Sequence, residues 1–326
     1  MAGVRKTASQ GAPKAKAPNV SLMPYSWIAG QEQMKLALEL AYIAPRLGGV
    51  LLSGQRGTGK STVVRAFGSL AHGRLPVTLP INATEDRVIG GWKIDALLQG
   101  KQEWLRGLLE EAHETVLYVD EVNLLDDHIV NIILDTTSTG FLHIEREGRH
   151  QQKQVSFTLI GTMNPSEGGL RPQLLDRFGL MADVVAEKDE NVRRQVLRAV
   201  LDFDEARAGA ADAAAKLKQA RASDLKIGEE LRKARKGLAG VQIPPAVQTL
   251  CVRIGQEFGA EGHRGDFVLA LAAQALAARS GKPAVTGKHL AAVAPLALQH
   301  RRGGGQFGGW TADETTRLGK IADGIA

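Results

Sequence analysis

Between residues 31 and 43 apolar side chains recur every three to four positions, with Met34, Leu38 and Tyr42 on one face and Pro45 just beyond. That spacing predicts an amphipathic helix closed by the proline. Residues 49–53 carry instead an unbroken apolar run, Gly49-Val50-Leu51-Leu52-Ser53, which enters a glycine-rich loop. Such a run predicts a short strand buried on both faces. A helix is predicted over residues 62–71. A second buried strand is predicted over 115–119, ending on two acids, and a third over 155–162, ending at Met163-Asn164-Pro165. Strands alternating with helices need right-handed crossovers and form a parallel sheet. Ligand chemistry then belongs at the carboxyl ends of the strands, and all three polar clusters fall there.

Beyond about residue 191 the pattern is helical only. One helix is predicted over 191–201, and the alanine- and charge-rich stretch 204–238 reads as a long exposed helix. Three more are predicted over 244–258, 266–279 and 286–301. Arg301-Arg302-Gly303-Gly304-Gly305 and Gly308-Gly309 read as a flexible link, and Thr311 with Glu314 forms a capping box for a last short helix. There is no internal repeat. The chain therefore divides into an arm over 1–20, an α/β core over 21–190, a helical domain over 191–302, and a link with a short helix over 303–326.

Composition changes this picture only at the margins. The chain has 326 residues, 44% hydrophobic and 23% charged, enough for a sizeable core. No apolar run reaches the length of about 18 that a membrane-spanning helix needs, so no membrane insertion is expected. The single cysteine, Cys251, excludes an internal disulfide and, lying in an apolar helical pattern, reads as packing. The net charge of +6 is unevenly placed: residues 1–31 hold Arg5, Lys6, Lys14 and Lys16 and no acid. This composition cannot build a core and reads as a solvated arm. It has no apolar segment of the secretory kind, so a cytoplasmic location is expected, with a plastid stroma as the second choice. Nucleic-acid binding through the arm is not the expected reading.

The chemistry begins at Gly54-Gln55-Arg56-Gly57-Thr58-Gly59-Lys60-Ser61, with Thr62 next. Glycine, four residues, then Gly-Lys-Ser is the spacing of a phosphate-binding loop. The glycines let successive N–H groups turn inward at the start of a helix, whose dipole favours anions. Lys60 is placed to reach the β- and γ-phosphates of ATP, and the Ser61 hydroxyl to ligate Mg²⁺. The second strand delivers Asp120, expected to hold the Mg²⁺ through water, and Glu121, expected to orient and polarise the attacking water. Asn164, at the end of the third strand, is placed to hydrogen-bond the γ-phosphate or that water. Beyond it, Arg171 and Arg177 are both candidates for an arginine supplied from a neighbouring subunit.

Longer blocks carry a family resemblance. Residues 31–38, 83–88, 117–128 (Leu-Tyr-Val-Asp-Glu-Val-Asn-Leu-Leu-Asp-Asp-His) and 171–179 (Arg-Pro-Gln-Leu-Leu-Asp-Arg-Phe-Gly) resemble the ATPase motor subunit of magnesium chelatase, an AAA+ protein. The likeness continues through 262–266 and 293–298, covering about residues 21–302. The resemblance implies a P-loop AAA+ core, with a parallel five-stranded sheet sandwiched by helices, followed by an all-helical lid. It implies a homo-hexameric ring in which Asn164 is the first sensor, Arg177 the arginine finger and Arg264 a second sensor touching the γ-phosphate. It assigns Ile28 and Ala29 to the adenine, residues 90–109 to an insertion in the second helix, and residues 141–155 to a hairpin before the first sensor. The expected partners are a subunit with a degenerate AAA+ half and a von Willebrand type A domain, and a large porphyrin-binding subunit.

Two features depart from that family: residues 68–80 are shorter than in its usual motor, and residues 206–237 have no evident counterpart. They bear on substrate and partner, not on the ATPase chemistry. The leading expectation is a motor driving Mg²⁺ into protoporphyrin IX. The alternative is an ATPase of the MoxR/chelatase-like branch that remodels a protein through a von Willebrand type A partner, with no tetrapyrrole. A nucleic-acid motor of the same branch is a third reading, with only the arm and hairpin behind it.

Overall fold

The computed structural model describes residues 22–100, 103–146, 149–302 and 309–323. The arm over 1–20 and much of the glycine link lie outside the described residues. In chain order the core runs α1 (Glu32–Ile43), β1 (Val50–Ser53), α2 (Lys60–His72), β2 (Val77–Leu79), α3 (Glu85–Ile89), β3 (Gly90–Trp92), α4 (Ile94–Leu98), β4 (Trp104–Arg106) and α5 (Leu108–Glu111). It continues with β5 (Val116–Val119), α6 (Asp127–Thr139), β6 (Phe141–Arg146), β7 (Arg149–Gln154), β8 (Thr158–Met163), α7 (Pro172–Arg177) and β9 (Leu180–Asp183). The helical part comprises α8 (Glu190–Arg207), α9 (Ala211–Gly237), α10 (Pro245–Glu257), α11 (Arg264–Arg279), α12 (Gly287–Leu298) and α13 (Ala312–Asp323).

Five strands form one parallel sheet in the order β2-β5-β8-β1-β9. Its central members β1, β5 and β8 are buried at every position, as their continuous apolar runs require. One face packs with α1, α2 and the helical domain, through Leu38, Ile43, Phe67, Leu269 and Leu290 among others. The other face buries Leu51, Leu117, Val119, Ile133 and Phe178. The expected insertion is an antiparallel pair, β3 with β4, and the expected hairpin is β6 with β7. Lys153 of that hairpin pairs with Glu110 at 2.8 Å and lies 4.9 Å from the Trp104 ring centre, joining the two outgrowths.

Three expectations are corrected. The third strand starts at Thr158, not at 155, because the chain first returns from the hairpin, with Val155 N–H donating to Gly140 O. The stretch 204–238 is not one helix: Gly209 takes φ +94° and turns the chain back, so that α8 and α9 pack as a helical pair. Nor is α9 wholly exposed. It buries Ala213, Ala220, Gly228, Leu231 and Ala234, and packs on α1, α2 and α11.

The third correction concerns the supposed flexible link, which does not begin at Arg301. That side chain is 1% exposed and donates to the carbonyls of Asp176, Phe178, Gly179 and Ala297 and to the Asp176 carboxylate. It ties the helical domain to the turn between α7 and β9. The capping box is as expected: Thr311 N–H donates to Glu314 Oε2 at 2.8 Å, and Glu314 N–H to Thr311 Oγ1 at 3.2 Å. Cys251 is buried, and burial pushes its thiol up to about 12.

Candidate nucleotide site

The loop from Gly54 to Gly59 joins the end of β1 to the start of α2. Gly57 and Gly59 sit at φ +80° and +83°, where an L side chain is strained even though space is open around both. Gly54 is constrained differently, since a Cβ there would lie 2.1 Å from Val184 O. The loop can therefore nest against the backbone just after β9 only with glycine at that position.

A cleft of about 400 Å³ opens above the loop, lined by residues 56–62 with Asp120, Glu121, Thr162, Met163 and Asn164. The predicted phosphate, metal, water and sensor residues thus converge from three strand ends. The Lys60 ammonium folds back onto the carbonyls of Gly54 and Gln55 at 2.6 and 2.7 Å. Burial lowers its pKa, and the carboxylates of Asp120, Glu121 and Glu167 oppose that shift. Thr58 Oγ1 donates to Gln55 O and stiffens the turn.

A chain of hydroxyls connects Ser61 to Asp120. Ser61 Oγ lies 2.9 Å from Tyr118 Oη, which donates to Asp120 Oδ1 at 2.8 Å, and Thr162 Oγ1 donates to the same oxygen at 2.7 Å. Burial, first among the causes, pushes the Tyr118 phenol up to about 12, so it remains a donor. Thr162 Oγ1 also accepts from the Glu121 N–H at 3.0 Å, which helps hold Glu121 in the left-handed region at φ +54°. One hydroxyl and one carboxylate are hard oxygen donors. They suit a Mg²⁺ that keeps several waters and shares substrate phosphates, rather than an all-protein cage. Among the described residues no cluster of three or more His, Cys, Asp or Glu could form such a cage.

Asn164 is 7% exposed. Its amide donates to Glu167 Oε1 at 2.8 Å, and its carbonyl accepts from Ser166. Arg56 reaches both Glu121 and Glu167. Ile28 and Ala29 line a second cleft, of about 450 Å³, with Trp27, Lys35, Gln195 and Arg198, which shares no lining residue with the first. Their segment is pinned near the loop by Gln31, which bonds Glu187 and the Val185 carbonyl.

The arginines lie elsewhere. Arg177 ends α7 and pairs with Asp135 at 2.6 Å, while Arg171 pairs with Asp127. Arg264 Nη2 donates to Arg177 O at 2.7 Å and borders Gly48, just before β1 begins. Arg264 and the Arg177 backbone it binds are therefore at the amino edge of the sheet, opposite the phosphate loop. Arg264 therefore does not line the phosphate cleft of its own chain. The reason is packing: α9 and α11 of the helical domain pack on α1 and α12 packs on β9, which carries the N-terminus of α11 to Gly48, just before β1.

Tyr118, Thr162, Glu167 and Arg301 were not among the sequence candidates. Tyr118 had a readable signal, because it lies two residues before Asp120 and so on the same side of the strand. Thr162 lay within the third predicted strand and was counted with its apolar neighbours. Glu167 had only its place in the turn after Asn164, and Arg301 read as part of a glycine-rich link.

The family model described as AAA domain (dynein-related subfamily) matches residues 49–178, and that described as AAA lid domain matches residues 248–316. The magnesium-chelatase 38 kDa subunit of Acidiphilium rubrum is 40% identical, over 86% of this chain and 91% of that protein. An uncharacterized protein of Mycobacterium tuberculosis is 42% identical over 86% of this chain, but this chain spans only 44% of its length. A crystal structure from Cytophaga hutchinsonii matches with TM-score 0.60 over 92% of this chain and 91% of that one, at 15% identity, which shows a shared fold.

Proposed function

This chain belongs to the family of magnesium-chelatase 38 kDa subunits, and from that premise we propose that it is the ATP-hydrolysing motor that drives Mg²⁺ insertion into protoporphyrin IX with partner subunits. The observation that carries the ATPase part is the convergence of Lys60, Ser61, Asp120, Glu121 and Asn164 on one cleft from three strand ends. The metal part rests on the 38 kDa relatives, which share most of their length with this chain.

In this reading the loop N–H groups and Lys60 bind the ATP phosphates, Lys60 leaving the carbonyls of Gly54 and Gln55 to do so. Ser61 and Asp120 hold a Mg²⁺, which supplies positive charge to the phosphates. Glu121 accepts a proton from the attacking water as the bond to the γ-phosphorus forms and the bond from that phosphorus to the β–γ bridging oxygen breaks, releasing ADP and phosphate. Asn164 orients that water or a γ-phosphate oxygen. Ile28 and Ala29 border the adenine.

Arg264, and the α7 terminus that carries Arg177, occupy the edge opposite the loop, so their action is on the nucleotide of a neighbouring copy in a closed ring, here taken as a homo-hexamer. The proposed partners are a von Willebrand type A subunit and a large porphyrin-binding subunit, with no nucleic acid. Among the described residues no helix is long and apolar enough to cross a membrane.

A second reading keeps the ATPase and replaces the tetrapyrrole with a protein remodelled through a von Willebrand type A partner. One experiment separates the two. ATP-dependent insertion of Mg²⁺ into protoporphyrin IX is measured with the purified chain and candidate partners. Insertion that requires this chain and stops with Lys60→Ala supports the first reading. Partner-stimulated ATPase with no insertion, in the presence of a competent porphyrin-binding subunit, overturns it in favour of the second.

A further inference from the structure

A buried tyrosine places its hydroxyl among the groups that would hold the metal, and the reading above gives it no task. Tyr118 lies in β5, two residues before Asp120, so both side chains point to the same face of the sheet. The residue is 1% exposed and belongs to the core on the α2 side, together with Val64 and Phe67. Ser61, the second residue of α2, approaches from that side. The Tyr118 hydroxyl therefore sits between the two groups, 2.9 Å from Ser61 Oγ and 2.8 Å from Asp120 Oδ1.

The hydrogens fix the direction of both bonds. A phenol carries one hydrogen and an ionised carboxylate carries none. The Tyr118 hydrogen goes to Asp120, so its oxygen is the acceptor at the other contact and Ser61 is the donor there. A serine hydroxyl likewise has one hydrogen and two lone pairs. With its hydrogen turned to Tyr118, Ser61 keeps its lone pairs for the cleft that it lines. A hydroxyl ligates a cation only through a lone pair, and a hydrogen pointing into the cleft would repel one. At the other end of the chain, Tyr118 and Thr162 both donate to Oδ1 of Asp120. That leaves Oδ2 to the cleft.

Resting on the nucleotide reading above, we propose that Tyr118 is a positioning residue for the Mg²⁺ of Mg·ATP. Its hydroxyl takes the Ser61 hydrogen and gives its own to Asp120, so that the serine offers a lone pair and the carboxylate an open oxygen to the cation. The interposed phenol links Ser61 and Asp120 while holding them apart, which suits a cation that fills most of its positions with water and phosphate oxygens. The buried ring fixes the phenol oxygen, so this orientation is present before the metal arrives and less freedom is lost on binding. Thr162 also holds Asp120 Oδ1, so loss of the phenol is felt chiefly at Ser61.

The test is Tyr118→Phe in the full chain. Phenylalanine keeps the buried ring, Thr162 still holds Asp120, and the half-buried Ser61 can turn to water, so the variant folds. A fluorescent non-hydrolysable ATP analogue is titrated into wild type, Tyr118→Phe, Ser61→Ala and the double variant, once with EDTA and once with saturating Mg²⁺. The quantity read is the factor by which Mg²⁺ tightens binding. In Tyr118→Phe the affinity in EDTA stays unchanged, and the Mg²⁺ factor falls roughly three- to tenfold, the scale of one or two hydrogen bonds. Ser61→Ala loses at least as much. Adding Tyr118→Phe to it costs less than about twofold more, because the hydrogen that Tyr118 accepts is already gone. Equal losses with and without Mg²⁺ would mean that the phenol only supports the loop, and the proposal falls. An unchanged Mg²⁺ factor, or losses that multiply in the double variant, also overturn it. Lys60→Ala runs beside these variants. If wild type binds the analogue no better with Mg²⁺ than with EDTA, or no better than Lys60→Ala does, the nucleotide reading fails and this proposal with it. If wild type passes both comparisons and Tyr118→Phe keeps the full factor, the proposal alone fails.

Discussion

The two edges of the five-stranded sheet are built in opposite ways. At the carboxyl edge the working residues come in short contiguous runs: 54–61, 120–121 and 162–164. At the amino edge Arg264, the carbonyl of Arg177 and the buried Arg301 come together from positions far apart in the chain. The first edge can bind and polarise a nucleotide with its own residues. The second holds cations that its own nucleotide cannot use. On the proposed reading, the difference teaches that one chain supplies two halves of a site, which meet only when copies associate.

The largest effects should come from breaking the carboxyl edge. Lys60→Ala removes the charge that pairs with the phosphates, and ATP binding should be lost or nearly so in a titration with labelled nucleotide. Glu121→Gln should still bind ATP and lose turnover by a factor on the order of a hundred or more. Hydrolysis at the normal rate in that variant would refute Glu121 as the water-activating group.

Next comes the amino edge. Arg177→Ala should leave ATP binding largely intact and reduce turnover by roughly a thousandfold. Mixing Arg177→Ala with Lys60→Ala should restore part of the activity, because an intact loop in one copy can face an intact Arg177 in another. Activity per chain should rise with protein concentration as rings assemble. Mixtures that stay inactive while mixed assemblies demonstrably form, with activity independent of concentration, would show that the two edges do not cooperate. Arg264→Ala tests the same edge, and belongs with Arg177→Ala if its guanidinium acts across the interface.

Arg301 separates architecture from chemistry at that edge. Arg301→Met leaves four carbonyls and the Asp176 carboxylate without their shared donor. Unfolding measured with denaturant should show a loss of roughly 2–4 kcal/mol. Nucleotide binding at the opposite edge should change much less. A loss confined to nucleotide binding would contradict the assignment.

The smallest expected effect is on acid stability. Burial depresses the pKa of His300 well below its usual value, with Arg301 and Arg264 adding to the shift. Burial likewise lowers His72, at the end of α2, to about 4. Both rings stay neutral in the folded chain, whereas in the unfolded chain they protonate near about 6.5. Their contribution is therefore full above that pH and is lost as pH falls from about 6.5 toward 4, where the unfolded state binds more protons. Melting temperatures taken between neutral pH and pH 5 should fall, and His72→Asn should flatten that slope. An unchanged slope would remove His72 from the account.

Much of the carboxyl edge was legible before the structure. The phosphate loop, Asp120, Glu121 and Asn164 were each found from a strand that ends on polar residues. That works because a buried parallel strand is a short apolar run and its ligand groups follow it directly. Tyr118 and Thr162 escaped, although period-two alternation places Tyr118 beside Asp120. Glu167 was less accessible, because only the three-dimensional turn after β8 brings it between Asn164 and Arg56. The long charged stretch was misread for a local reason: one glycine, Gly209, at φ +94° divides it. A lone glycine within a helical pattern does not announce whether it is tolerated or ends the helix.

The sequence by itself determined the alternation of strand and helix, the phosphate loop and the order in which acids and amide meet it. Those features depend on neighbours within a few residues, and local patterning specifies such neighbours. The tertiary structure decided where the helical domain docks. By packing α9 and α11 against α1 and α2, it carries Arg264 to the amino edge and buries the guanidinium of Arg301 beneath the α7–β9 turn. Residues as far apart as Asp176 and Arg301 meet only through the choice of which apolar face covers which. Many helices present interchangeable apolar faces, so that choice follows from the packing of the whole core and not from any one segment.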